Sequence, residues 1–205
     1  SNALKRHALQ YNLYGVDIDA SAIDIAKLRL WLSLVVDEDD LAHVRPLPNL
    51  DYRIIHGNSL DAMRVSYENS LLQEQQLQTL RQAQDSYFDT TDKACKQRLR
   101  KDIDACRKKL GCSDFFEWTI DFHQVFHGRA GEENPGFDIV IANPPYVRQE
   151  KISGSKERLK AVFGDFFDGT ADIYTYFYAL ALKHLLTPLG CCCYIAPNKF
   201  FRAAY

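Results

Sequence analysis

The chain has 205 residues, a formal net charge of −2, a hydrophobic share of 46% and a charged share of 25%. These shares are those of an ordinary globular domain; they exclude a disordered or fibrous protein, and the near-zero charge argues against a protein that is basic throughout and coats nucleic acid. The length suits one domain, or one and a half, and every apolar run is broken short of the ~18 residues that a membrane span needs.

Ser1-Asn2-Ala3 matches the remnant of a cleaved expression tag and is set aside from the reading of the fold. No secretory signal pattern follows, which fits a cytoplasmic protein. The abrupt start at Leu4 and the stop at Tyr205, just after Phe200 and Phe201, are expected to mark a piece cut from a longer chain.

The first expected strand covers residues 13–18. A helix over 21–36 follows, with Ser21 and Asp24 resembling a capping box. Ile23, Ala26, Leu30 and Leu34 share one face of it, and Ile25, Leu28 and Leu32 widen the apolar stripe, so deep cover is expected. A second strand covers 52–56. Residues 60–127 then read as a helical insertion. Within it, 67–84 and 92–110 form two polar helices, folded as an antiparallel hairpin about Asp89-Thr90-Thr91-Asp92. The cations from Lys93 to Lys109 either touch phosphates or form a solvated face balanced by Asp102 and Asp104.

A third strand covers residues 137–142, a helix 172–186 ending at Thr187-Pro188-Leu189-Gly190, and a fourth strand 191–196. The first, third and fourth strands are continuous apolar runs, the pattern of strands covered on both faces of a parallel sheet. Strands alternating with helices predict an α/β fold with a mostly parallel sheet. Residues 4–59 and 128–205 are expected to form one partial sheet domain around the 60–127 insertion.

The six cysteines include the run Cys191-Cys192-Cys193 and form no CxxC pair. Their spacing fits no zinc pattern and suits reduced, buried thiols, so no metal site is expected.

The sharpest motif is Asn143-Pro144-Pro145-Tyr146, directly after an apolar strand. Neither proline has an N–H to donate, so the chain must leave the sheet there, at the strand's carboxyl end. That end is where open α/β sheets place ligands. The Asn143 amide oxygen and the Pro144 carbonyl are two acceptors, and Tyr146 offers a flat aromatic face. Together they suit a planar substrate that carries an NH₂ group.

Residues 137–152, FDIVIANPPYVRQEKI, resemble the fourth motif of S-adenosylmethionine-dependent amino-methyltransferases. The likeness is strongest to N6-adenine DNA methyltransferases of the fused type IIG restriction–modification class and their bacteriophage-exclusion relatives, which implies a restriction–modification or phage-defence enzyme. Residues 14–19, YGVDID, resemble the second motif, in which the acid closing the strand holds the cofactor ribose; Asp17 stands there, beside Ile18. The other reading of Asp17 is a residue of the turn into the helix, and Asp19 is read as ordering the helix start. Gly57-Asn58-Ser59-Leu60-Asp61 resembles the third motif, which meets the cofactor adenine, with Asn58 where an Asp is usual; the alternative is a Gly-Asn turn. Phe116, Trp118, Phe122 and Phe126 are expected in the core. Residues 170–177 and 190–200 resemble the fifth and sixth motifs, with Asp172 and Tyr174 as pocket walls.

The resemblance implies a Rossmann-like methyltransferase sheet, here incomplete. The family's first strand and its Gly-rich loop are absent, and none of the ten glycines forms a G-x-G. Direct pairing of the 13–18 and 137–142 strands, or a gap filled by a neighbouring chain, is the expected consequence. The implied reaction moves a methyl group from S-adenosylmethionine to N6 of an adenine flipped out of double-stranded DNA. Asn143 and Pro144 would accept from the amino group, Pro145 would stiffen the turn and Tyr146 would stack on the base. Ile18 and Ser59 would line the cofactor beside Asp17 and Asn58. A target-recognition domain is expected outside this chain. The alternatives are an amino-methyltransferase acting on RNA guanine or on a release-factor glutamine, and a non-catalytic module that contacts DNA or protein.

Overall fold

The computed structural model describes residues 2–36, 49–61, 71–112, 115–126, 136–146 and 156–198. The molecule is a mixed α/β protein that divides into two compact units. One comprises residues 1–62 and 66–122, the other 63–65 and 123–205.

In the first unit, helix α1 (Asn2–Tyr11) precedes strand β1 (Gly15–Asp17). Helix α2 (Ala20–Val35) begins where the Asp19 carboxylate accepts from the Ser21 amide. Asp19 is therefore the N-cap, as read for the helix start, and the Ser21–Asp24 box is replaced by a cap two residues earlier. An Asp at this position satisfies an amide that the helix itself leaves orphaned. Strand β2 (Ile54–His56) pairs parallel to β1, with Asp17 opposite His56. Leu9, Ile23, Leu34, Leu50 and Ile54 form a small core, with Ala26, Leu30 and Trp31 packed against it. The expected deep cover of α2 is not met: Ile25, Leu28 and Leu32 on its other side are exposed. The stripe carrying Ile23 and Leu34 is the buried one, with Ala26, Leu30 and Trp31 partly buried beside it.

Helices α3 (Leu71–Asp89) and α4 (Lys93–Lys109) form the expected hairpin; residues 67–70 of the predicted first helix lie outside the described residues. Leu80, Ala83 and Tyr87 recur at helical spacing, as do Leu99, Ile103 and Cys106, and the two sets share one core. Asp92 caps α4 through Cys95 N. The helix ends in a Schellman turn, with Gly111 N donating to Lys108 O and Cys112 N to Arg107 O. Gly111 holds φ +76°, a left-handed conformation that suits glycine. Helix α5 (Trp118–Asp121) closes the unit. Phe116, Trp118 and Phe122 pack edge-on to one another, and Tyr14 joins Phe122.

In the second unit, helix α6 (His123–Phe126) leads toward strand β3 (Phe137–Ala142), where Phe126 meets Phe137 edge-on. Helix α7 (Lys156–Phe163) and a short 3₁₀ turn precede helix α8 (Ile173–Leu180). A π-turn over Ala181–Leu185 then runs directly into strand β4 (Leu186–Tyr194). The Thr187–Gly190 stretch, expected as a helix stop ahead of the strand, lies within β4 instead. It makes an irregularity: Phe137 pairs with Leu186, and the next pair is Ile139 with Cys191. Pro188 has no N–H for a ladder bond, so the strand detours around it. Gly190 closes the detour, where a Cβ would stand 2.9 Å from the Phe137 carbonyl oxygen.

β3 and β4 are parallel. One face of the pair packs on α8, with Tyr178 beside Tyr194 and the Tyr194 hydroxyl donating to Phe177 O. The other face, expected to be covered, is open: Ile139 is 62% and Ile141 75% exposed, and Cys191 and Cys193 opposite them are exposed as well. The reading of all six cysteines as buried thus holds fully only for Cys106 and Cys112; all six are free thiols. Among the described residues the strand pairings are β1 with β2 and β3 with β4, so the direct pairing of β1 with β3 is not formed. No helix of the described residues is long and apolar enough to cross a membrane, and none of their side chains form a cluster able to hold a metal ion.

Candidate active site

Strand β3 ends at Ala142, and Asn143 to Tyr146 leave the ladder as irregular chain. The last rung is Ile195 N donating to Ala142 O. Pro144 is buried and anchors the exit, whereas Asn143, Pro145 and Tyr146 are exposed. The Tyr146 hydroxyl lies 3.3 Å from Asn143 Oδ1 and 3.1 Å from the Ile195 carbonyl oxygen, as donor to both. Its ring stands edge-on to Tyr174. The tetrapeptide is thus a rigid exit with its acceptor and its aromatic plane both at the surface. The Ile195 carbonyl was not anticipated. A backbone acceptor carries no signature in its residue type, and its approach to Tyr146 follows from the parallel pairing of β3 and β4.

The four residues read as cofactor contacts come together at the carboxyl ends of β1 and β2, joined there by Gly57 N donating to Asp17 O. Asp17 and Ile18 are exposed. Asp17 Oδ1 accepts from Asp19 N, so the carboxylate also shapes the approach to α2. Its exposed position at a strand end suits a diol, which needs acceptors. Asn58 is bound into its own turn: Oδ1 accepts from Leu60 N, and Nδ2 donates to Asp61 Oδ2. Its amide is occupied locally, so it fits the group as a loop former more readily than as a direct contact. Ser59 lends its carbonyl to Trp118 Nε1 at 3.1 Å, which ties this loop to α5.

Two polar clusters brace the first unit. Asp51, just before β2, accepts from Tyr87 Oη at 2.7 Å, from Arg100 at 3.0 Å and from Lys27 at 3.3 Å. It thereby ties α2, α3 and α4 to the approach to β2. Burial pushes the Asp51 carboxyl up, but the Tyr87 bond and the Lys27 and Arg100 charges outweigh it and hold the group below its ordinary value. Arg107 pairs with buried Asp121 and donates to the Cys112 and Phe115 carbonyls. Arg107 therefore leaves the cationic face read from the sequence and points inward. Burial also pushes the Glu117 carboxyl up, although Glu117 accepts from Thr119 and from the Ile120 amide at the cap of α5. Arg53 stacks between Tyr14 and Phe88, 4.6 and 5.0 Å from the ring centroids.

In the second unit, Asp172 is buried at the N-terminus of α8 and Tyr174 is buried in its first turn. Lys156 Nζ donates to Gly169 O, and Tyr176 Oη to Asp168 O, which fixes the segment before α8.

Residues 11–205 match the family described as Eco57I restriction-modification methylase. Over 52 residues the chain is 56% identical to a protein of Methanocaldococcus jannaschii named "Putative type II restriction enzyme and methyltransferase"; the stretch covers 24% of this chain and 4% of that protein. The chain thus spans a small part of the length of the curated relative it matches. No solved structure matches it. With the match running over nearly the whole sequence, and with the Asn-Pro-Pro-Tyr exit formed at the end of a parallel strand, the chain belongs to the Eco57I restriction-modification methylase family.

Proposed function

We propose that the chain is the catalytic middle of a larger restriction–modification enzyme that methylates N6 of adenine in double-stranded DNA, with S-adenosylmethionine as donor. One observation supports this most directly. Asn143, an exposed residue at the carboxyl end of β3, carries an amide oxygen that the hydroxyl of exposed Tyr146 approaches at 3.3 Å. An acceptor next to an aromatic plane suits an amino group on a planar base. The family description supports methyl transfer in a restriction–modification context.

In this reading residues 4–59 and 128–205 form a partial catalytic domain and 60–127 an insertion, the DNA-recognition domain lies outside these residues, and the enzyme works in the cytoplasm. Asp17 would hold the cofactor ribose, Ile18 and Ser59 would line its site, and Asn58 would shape the loop beside it. S-adenosylmethionine supplies an electrophilic methyl group when bound. The adenine leaves the duplex to reach the site. Asn143 Oδ1 and the Pro144 carbonyl accept from the N6 amino group, which turns the nitrogen lone pair out of conjugation with the ring. Held in this way, N6 would take the methyl group that the bound cofactor would supply, and the N6 proton would leave to water. Asn143 and Pro144 contribute orientation and charge stabilisation at a preformed site. Pro145 keeps the exit stiff, and Tyr146 stacks on the flipped base.

The test is Asn143→Ala in the full-length enzyme, assayed with tritiated cofactor and DNA. Loss of tritium incorporation into adenine is expected. Incorporation at the unsubstituted rate overturns the reading.

A further inference from the structure

Tyr146 is pinned at its tip. Its hydroxyl meets Asn143 Oδ1 at 3.3 Å and the Ile195 carbonyl at 3.1 Å. A tyrosine oxygen lies on the axis about which the ring turns, so bonds at the hydroxyl fix the tip and, through the preference of the phenolic O–H for the ring plane, only bias the plane of the ring. Aromatic χ2 is itself a broad, two-fold torsion. The plane is set by what touches the ring from the side.

Tyr174 makes that side contact. Its ring lies 6.5 Å from that of Tyr146, centroid to centroid, at an interplanar angle of 86°. This is the edge-to-face arrangement that ring quadrupoles prefer. Tyr174 is 1% exposed and Tyr146 is 53% exposed, so a buried ring stands against a half-exposed one. Asp172, buried one residue before α8, and the Thr175 hydroxyl, which bonds to the Asp172 carbonyl, order the turn that carries Tyr174.

We propose that Tyr174 is a positioning residue that sets the plane of the Tyr146 ring, and with it the angle at which a planar base stacks there. Tyr174 acts through Tyr146 and need not touch the substrate. The proposal rests on the reading of Tyr146 as the stacking face for the target base.

The test uses the full-length enzyme labelled with 3-fluorotyrosine, with the Tyr146 fluorine line assigned from Tyr146→Phe. Tyr174→Met keeps most of the buried volume without the aromatic edge, and Tyr174→Phe restores the ring. The Tyr146 line is expected to move in Tyr174→Met and to stay in place in Tyr174→Phe. The KM for DNA should rise about 2- to 10-fold in Tyr174→Met and return to normal in Tyr174→Phe. A purely structural role would change the folded fraction, and hence apparent kcat, at constant KM. An unmoved line, or a moved line with an unchanged KM, overturns the proposal. If Tyr174→Met does not fold, a crystal structure of the unsubstituted enzyme decides: an edge-to-face pair supports the proposal and a turned-away ring overturns it. An enzyme that methylates no adenine refutes the functional reading, whereas the fluorine line still reports on Tyr174.

Discussion

Gly57 and Phe116 occupy one space. A Cβ on Gly57 would fall onto the Phe116 Cβ and stand 2.8 Å from its Cγ. The loop after β2, which carries Asn58 and Ser59, therefore runs flush against the aromatic cluster of Phe116, Trp118 and Phe122. Glycine is needed here for closeness, not for an unusual backbone angle. Gly57→Ala is expected to lower stability by about 1–3 kcal/mol through overpacking. A urea midpoint equal to that of the unsubstituted chain contradicts this.

Arg107 and Asp121 form an ion pair with little access to water, at 14% and 3% side-chain exposure. Removing one partner strands the other charge. Asp121→Ala is expected to cost about 3–5 kcal/mol, read by chemical denaturation. Replacing both residues with apolar ones of similar volume should cost less than the sum of the two single substitutions, since no buried charge then remains unpaired, although the Cys112 and Phe115 carbonyls and the Glu117 amide lose a partner. Additive losses in that double-mutant cycle count against the pair.

Asp51 gives a pH signature. Its folded-state pKa lies below the ordinary value of 3.8, because Tyr87, Lys27 and Arg100 outweigh the effect of burial. An acid with a depressed folded pKa contributes stability above its unfolded pKa, and that stability is lost as pH falls through the folded value. The stability difference between the unsubstituted chain and Asp51→Asn should therefore be full at neutral pH and shrink below about pH 4. A constant difference down to pH 2 removes Asp51 from the role of electrostatic hub.

Tyr146 separates ring from hydroxyl. Tyr146→Ala removes the stacking plane and is expected to weaken DNA binding by about 1–3 kcal/mol. Tyr146→Phe keeps the plane, loses the bonds to Asn143 and Ile195, and should cost about 1 kcal/mol or less. Equal losses in the two variants, measured as Kd for a target duplex, exclude stacking as the function of the ring.

Several elements were legible in the residues because their causes are local. Phe137–Ala142 matches the expected third strand residue for residue, and its exit follows from two adjacent prolines that lack N–H groups. The α3–α4 hairpin follows from apolar residues at helical spacing on either side of a polar turn. Asp19 as the helix starter follows from the reach of a carboxylate to an amide two residues on. β4 begins earlier than its residue pattern suggests, because proline and glycine ahead of the cysteine run look like a stop signal. In the folded chain they sit inside the ladder, tolerated by a shift in register.

The sequence by itself determined the α/β character, the hairpin, the strand exits and the residue types that stand at each exit, all of which depend on neighbours a few positions apart. Only the tertiary structure decided which distant groups meet. Arg100 reaches Asp51 across 49 positions, and Tyr146 reaches Ile195 across 49. Arg107 turns inward toward Asp121 and away from the cationic face its neighbours suggest. The plane of Tyr146 belongs to the same class. Its edge-on neighbour, Tyr174, stands 28 positions away in the sequence and is brought alongside by the fold.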